Sequence, residues 1–147
     1  MLQKQISVFI ENKRGRLAEV TKVLGDNGID MSAICIADTT DFGILRIIVD
    51  KPDLAEKVLK DDGYAVSITE VIALSIEDKP GGLSTALRVL EEYTINIEYM
   101  YAFIRKNAQR ATVIVRVDKP SDAIEKLKSS SINLLTSAEL NNMSENG

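Results

Sequence analysis

The 147-residue sequence predicts an α+β protein built from two tandem copies of one βαββαβ unit. Two observations carry that prediction: an internal repeat, and the same order of apolar periodicities within each copy. The stretch Val8-Phe9-Ile10-Glu11-Asn12-Lys13-Arg14-Gly15-Arg16-Leu17 lies over Leu74-Ser75-Ile76-Glu77-Asp78-Lys79-Pro80-Gly81-Gly82-Leu83, at an offset of 77 − 11 = 66. Further on, Val49-Asp50-Lys51-Pro52 lies over Val117-Asp118-Lys119-Pro120, at an offset of 117 − 49 = 68. The second copy therefore carries two extra residues between the markers. Hairpin tips tolerate insertions, which places them in the polar run Arg105-Lys106-Asn107-Ala108-Gln109-Arg110.

Each copy opens with alternating apolar residues, Ile6, Val8 and Ile10 or Ile72, Leu74 and Ile76, the mark of a strand with one buried face. A glycine-containing turn follows. Helical spacing then joins Leu17, Val20, Val23 and Leu24, and in the second copy Leu83, Ala86, Leu87, Leu90 and Tyr93. Asp26-Asn27-Gly28 stops the first helix, because glycine takes the left-handed position without steric cost. Tyr93-Thr94 stands there in the second copy and gives a weaker stop signal.

Two strands joined by a polar turn come next, over about 29–37 and 42–49, then 95–104 and 111–117. Pro52 and Pro120 suit the first turn of a second helix, where a missing N–H has no partner to lose. That helix buries Leu54, Val58 and Leu59, or Ile124 and Leu127. A last strand is expected near 65–70 and again near 133–137.

This order is the ferredoxin-like pattern, in which right-handed crossovers place both helices on one face of a four-stranded antiparallel sheet. The expected domains are residues 1–70 and 71–140, with 141–147 as a polar, frayed tail. A unit of ~70 residues with one helix layer has a small core. Its second sheet face carries Phe9 and Ile48, and in the second copy Met100, Ile104 and Ile114, all read as out of phase with the core. Pairing of the halves, and a second chain making a homodimer, would hide such a surface; scattered surface hydrophobes are the alternative.

Composition narrows the function. The sequence has no histidine, which excludes His-based metal sites, triads and proton shuttles. Cys35 is the single cysteine and sits in an apolar stretch, so it reads as a packing residue. No cofactor or metal is expected. A net charge of −4 and a pI near 4.9 disfavour nucleic acid. Tyr99, Tyr101 and Phe103 alternate on one strand and read as sheet packing rather than a base-stacking platform. Apolar runs fall far below the ~18 residues of a membrane span, and the N-terminus lacks the apolar block of a secretory signal, so a cytoplasmic location is expected.

The glycine turns hold the remaining chemistry. In Asp78-Lys79-Pro80-Gly81-Gly82-Leu83 a strand ends, the backbone bends sharply and a helix starts, leaving N–H groups for which the helix has no acceptor. A carboxylate suits that position. The first copy, Asn12-Lys13-Arg14-Gly15-Arg16-Leu17, adds three cations. The plain alternative is a strand-to-helix turn that needs glycine only for its geometry.

The turn, the topology and the tandem duplication together resemble the ACT domain family of small amino-acid-binding regulatory modules. The resemblance rests on Glu11 to Leu17 and Glu77 to Leu83, where an acidic or amide residue, then Lys-Pro-Gly in the second copy, precedes the helix leucine. It rests also on Gly28-Ile29-Asp30 and, without the glycine, Thr94-Ile95-Asn96. Such a family implies paired domains, with an effector amino acid bound where the pair meets. Carried over, the candidate ligand-binding residues are Asn12, Arg14, Gly15, Arg16 and Leu17 with Asp30, and Asp78, Lys79, Pro80, Gly81, Gly82 and Leu83 with Asn96. Asp30 and Asn96 would accept from the ammonium group, or serve only as turn residues. Arg14 stands in place of the expected Pro and Arg16 in place of a second Gly, so the two turns are not equivalent.

The resemblance implies a non-catalytic sensor that binds a free amino acid and signals to a partner enzyme of amino-acid metabolism. The alternative is a ligand-free assembly module docking on a partner enzyme through its sheet faces. An enzyme is disfavoured, because no convincing nucleophile and base stand together in the sequence.

Overall fold

The computed structural model describes residues 1–38, 41–104 and 109–145. The chain divides into two compact units, residues 4–69 with 143–145, and residues 1–3 with 70–142. The element order is β1 (Gln3–Glu11), α1 (Arg16–Asp26), β2 (Met31–Asp38), β3 (Phe42–Val49), α2 (Pro52–Asp61) and β4 (Ala65–Glu77). It continues with α3 (Gly82–Glu92), β5 (Ile97–Ile104), β6 (Arg110–Val117), α4 (Pro120–Lys128), β7 (Asn133–Leu134) and α5 (Ser137–Glu145). The two βαββαβ units of the sequence reading are present. They share β4, whose residues 65–69 belong to the first unit and 70–77 to the second.

In the first unit the strand order is β2-β3-β1-β4. β1 and β3 run antiparallel, with Ile6 opposite Ile47 and Val8 opposite Leu45. These four side chains have no exposed surface and form one core with Val20, Leu24 and Leu59 from the two helices. Burying each contributes about 1.5–3 kcal/mol. The second unit repeats the order as β5-β6-β4-β7, with Ile72 opposite Val115 and Leu74 opposite Val113. Its core gathers these four residues with Leu90, Ile124 and Leu127.

Pro52 and Pro120 stand in the first turns of α2 and α4, as their fixed φ and missing N–H favour. At the end of α1, Gly28 has φ 67° and Ile29 donates back to the Leu24 carbonyl at 3.0 Å. Thr94, 66 residues on, closes α3 the same way: φ is 57°, and Ile95 donates to the Leu90 carbonyl at 3.0 Å. The weak stop signal at Tyr93-Thr94 thus marks a helix end built on the same turn, with a β-branched residue held in the left-handed region.

Three expectations are corrected. Met100 packs against the second core rather than away from it. A register shift between Ile97 and Tyr99 changes the parity of β5, so Met100 faces Val115 and strict alternation misassigns it. Ile48 and Ile114 do lie outside both cores, yet they are buried, at 3% and 0% exposure; Phe9 is half exposed. The last strand stops at Leu134, short of the expected 137, and a helix over 137–145 takes in residues 141–145 of the expected frayed tail. Thr136 starts that helix: its hydroxyl accepts the Glu139 N–H at 3.2 Å and donates to the Glu139 carboxylate at 3.1 Å. Leu140 on it is buried at 1% exposure.

Gln3 joins residues 1–3 to the second unit. It donates to the Leu135 carbonyl at 3.1 Å and accepts from the Ser137 hydroxyl at 2.6 Å. The two-residue insertion is bracketed, since β2 and β5 begin 66 apart whereas β3 and β6 begin 68 apart. Of the run 105–110, to which it was assigned, residues 105–108 lie outside the described residues.

Candidate functional site

The glycine turns are built alike in the two units. In the first, Lys13 donates its N–H to the Glu11 carbonyl at 2.8 Å, and Arg16 closes onto the Lys13 carbonyl at 3.3 Å. Gly15 sits at the N-terminus of α1 with φ 89°, a conformation costly to any residue bearing a Cβ. In the second, Gly82 closes onto the Lys79 carbonyl at 3.0 Å, and Gly81 has φ 85°. Among the described residues no side chain caps either helix, so the amides of Leu17 and Ala18, and of Leu83 and Ser84, start helices that supply them no acceptor.

Gly81 and Gly82 serve different ends. A Cβ on Gly81 would meet nothing within 4 Å, whereas one on Gly82 would collide with the Glu77 carbonyl. Arg16 holds the position equivalent to Gly82, so the strand-to-helix approach in the second unit is one that the Arg16 side chain would not permit.

A cavity opens beside each turn, and the two occupy the same place in their units. The first, of 390 Å³, is lined by Phe9, Ile10, Glu11, Arg16 and Glu19, by Phe42 at the start of β3, and by residues 62–65 after α2. The second, of 330 Å³, is lined by Ser75, Ile76, Glu77, Lys79, Gly82, Thr85, Arg110 at the start of β6, and residues 131–133 after α4. Repeat offsets of 66 and 68 map one lining onto the other.

Charges differ between them. In the first cavity Glu19 accepts from Arg16 at 3.1 Å and from the Tyr64 hydroxyl at 3.0 Å. Burial, then the bond to Glu19, raises the Tyr64 phenol above its ordinary value. The Glu11 carboxylate, 2.7 Å from Lys13, is held below the usual glutamate range by that hydrogen bond and charge. Glu77 is held low in the same way by Lys79 at 2.5 Å, with Arg110 adding to the effect. Arg110 donates to the Ser75 hydroxyl and to the Ser75 carbonyl, each at 2.7 Å.

Of the residues singled out in the sequence, the structure brings Arg16 to the first cavity and Lys79 and Gly82 to the second. Gly15 and Gly81 form the adjoining helix starts. Asn12 donates its N–H to the Asp41 carbonyl and Asp78 to the Gln109 carbonyl, both at 2.9 Å, which fixes the strand ends behind the turns. Arg14, Leu17, Pro80 and Leu83 belong to the turns without lining the cavities. Asp30 and Asn96 lie elsewhere in their units, beyond the far ends of 11-residue helices about 16 Å long. There Asp50 donates to the Asp30 carbonyl at 3.1 Å and Asp118 to the Asn96 carbonyl at 3.3 Å. Sequence reasoning passed over Phe42, Tyr64 and Arg110. The repeat offset was the signal available, since Phe42 and Arg110 are partners across it.

Among the described residues no group of three or more metal-ligating side chains occurs, and no helix is long and apolar enough to cross a membrane. The model of the ACT domain pair family matches residues 1–144. The chain belongs to that family. No curated protein matches it. A solved protein from Bacteroides thetaiotaomicron is similar to this ACT domain pair, with 46% identity over 95% of this chain and 96% of that one, and a TM-score of 0.89. The ligand-free regulatory subunit of aspartate kinase from Thermus thermophilus shares the fold at 18% identity, covering 88% and 94% of the two chains, with a TM-score of 0.65. Aspartate kinase from Synechocystis matches 86% of this chain but only 25% of its own, at 21% identity and a TM-score of 0.54.

Proposed function

We propose that this ACT domain pair is a non-catalytic regulatory protein that binds a free amino acid at its glycine turns and passes its occupancy to a partner enzyme. One observation carries the reading: a cavity of like position in each repeat, beside a helix start that no side chain caps. The ligand carboxylate would accept from the amides after Gly15 or Gly81, where the helix dipole favours an anion. Regulatory subunits of aspartate kinase, which share the fold, support the regulatory part of the reading. Occupancy acts on a partner only through different affinities for two states of the protein.

Calorimetric titration with each of the twenty amino acids tests this, and at least one is expected to release heat and raise the melting temperature. Gly81→Val forces a β-branched residue to φ 85° and is expected to abolish binding in the second repeat. Retained affinity in a folded Gly81→Val variant would place the site elsewhere.

A second reading, an assembly module, is favoured by exposed Phe9, Ile34, Ile36 and Phe42. A monomer that carries no companion protein through purification would count against it.

A further inference from the structure

We infer that the two cavities select side chains of opposite charge, the first a cationic amino acid and the second an acidic one; this rests on the amino-acid-binding reading above. Two substitutions between the repeats invert the sign. Phe42 at the start of β3 becomes Arg110 at the start of β6, and Asp62 after α2 becomes Ser130 after α4. The remaining differences cancel: Arg16 and Glu19, paired at 3.1 Å in the first cavity, become the neutral Gly82 and Thr85. The acid–lysine pairs recur at both turns: Glu11 of the first cavity pairs with Lys13 beside it, and Glu77 with Lys79, which lines the second.

Among the described residues Asp62 thus leaves the first cavity with one uncompensated anion, beside aromatic walls of Phe9, Phe42 and Tyr64. Ring faces and a carboxylate together attract a guanidinium or ammonium group. Among the same residues Arg110 leaves the second with one uncompensated cation, beside the hydroxyls of Ser75 and Thr85. Among the described residues two of its five N–H donors are engaged, both on Ser75, which leaves donors for a side-chain carboxylate. A mismatched guest would bring its charge against a like charge, a repulsion that the matched guest escapes.

Titration of the full chain with arginine and with glutamate tests the assignment, each alone and then in the presence of the other. Both are expected to bind without competing. Asp62→Ser is expected to weaken arginine at least about tenfold and leave glutamate unchanged. Arg110→Phe should do the reverse, while Arg110→Lys, which keeps the charge on a smaller perturbation, should retain glutamate within a few-fold. Circular dichroism confirms that each variant is folded. If amino acids bind but arginine and glutamate compete, or neither variant separates them, the charge selection is overturned while the turn site stands. If none of the twenty binds, the reading beneath it fails first.

Discussion

Gly15 and Gly81 share a backbone conformation, yet the residues after them live under different constraints. Alanine at Gly15 meets open space and suffers only the left-handed φ, a cost of about 1 kcal/mol. Alanine at Gly82 collides with a main-chain carbonyl that has no rotamer to yield, and overpacking of that kind costs about 2 kcal/mol. Urea unfolding of Gly15→Ala and Gly82→Ala should return that ranking; equal losses would contradict it. Glu77 offers a check by pH. Its lowered folded value keeps the carboxylate charged as pH falls past the ordinary glutamate range near 4.3, so its share of stability is present above that value and fades below it. An NMR titration should show the Glu77 midpoint low in the native protein and moved back up in Lys79→Ala.

Among the elements, the end of α3 shows where local sequence signals mislead. Threonine is a poor residue for a left-handed position, yet Thr94 adopts it and makes the hydrogen bonds that Gly28 makes in the first repeat. Relieving this in Thr94→Gly should raise stability by about 1 kcal/mol, read from denaturant midpoints at unchanged slope. A neutral or negative result would mean that the threonine methyl or hydroxyl offsets the strain. The strands were legible because Ile6, Val8 and Ile10, and Ile72, Leu74 and Ile76, keep a strict period of two. Met100 was not, because one bulge shifted its strand by a residue. The helix at 137–145 was missed although Thr136-Ser137-Ala138-Glu139 carries a capping-box spacing; its polar composition outweighed that signal.

Across the molecule the duplication did most to reveal the fold, since two copies of one pattern constrain each other. The site was less legible. Turn residues were found from Gly15 and Gly81 outward, but a cavity wall drawn from a distant hairpin and a later loop, Phe42, Tyr64 and Arg110, has no local spacing to announce it. The two cores have no residue in common, so damage to them should add. Ile47→Val and Ile124→Val should each cost about 1 kcal/mol, and the double variant their sum within about 0.5 kcal/mol. A larger discrepancy would show that the cores are energetically coupled.

Finally, β4 passes from one repeat to the next with no spacer. Adding or deleting a single amino acid near Thr69 would turn every later side chain of that strand inside out, exchanging Ile72 and Leu74 for Val71 and Ala73 at the helices. Chain-length variation can therefore collect between β5 and β6, where the polar run 105–110 lies, but has no foothold where the copies were joined: the scar of the ancestral fusion is locked by parity.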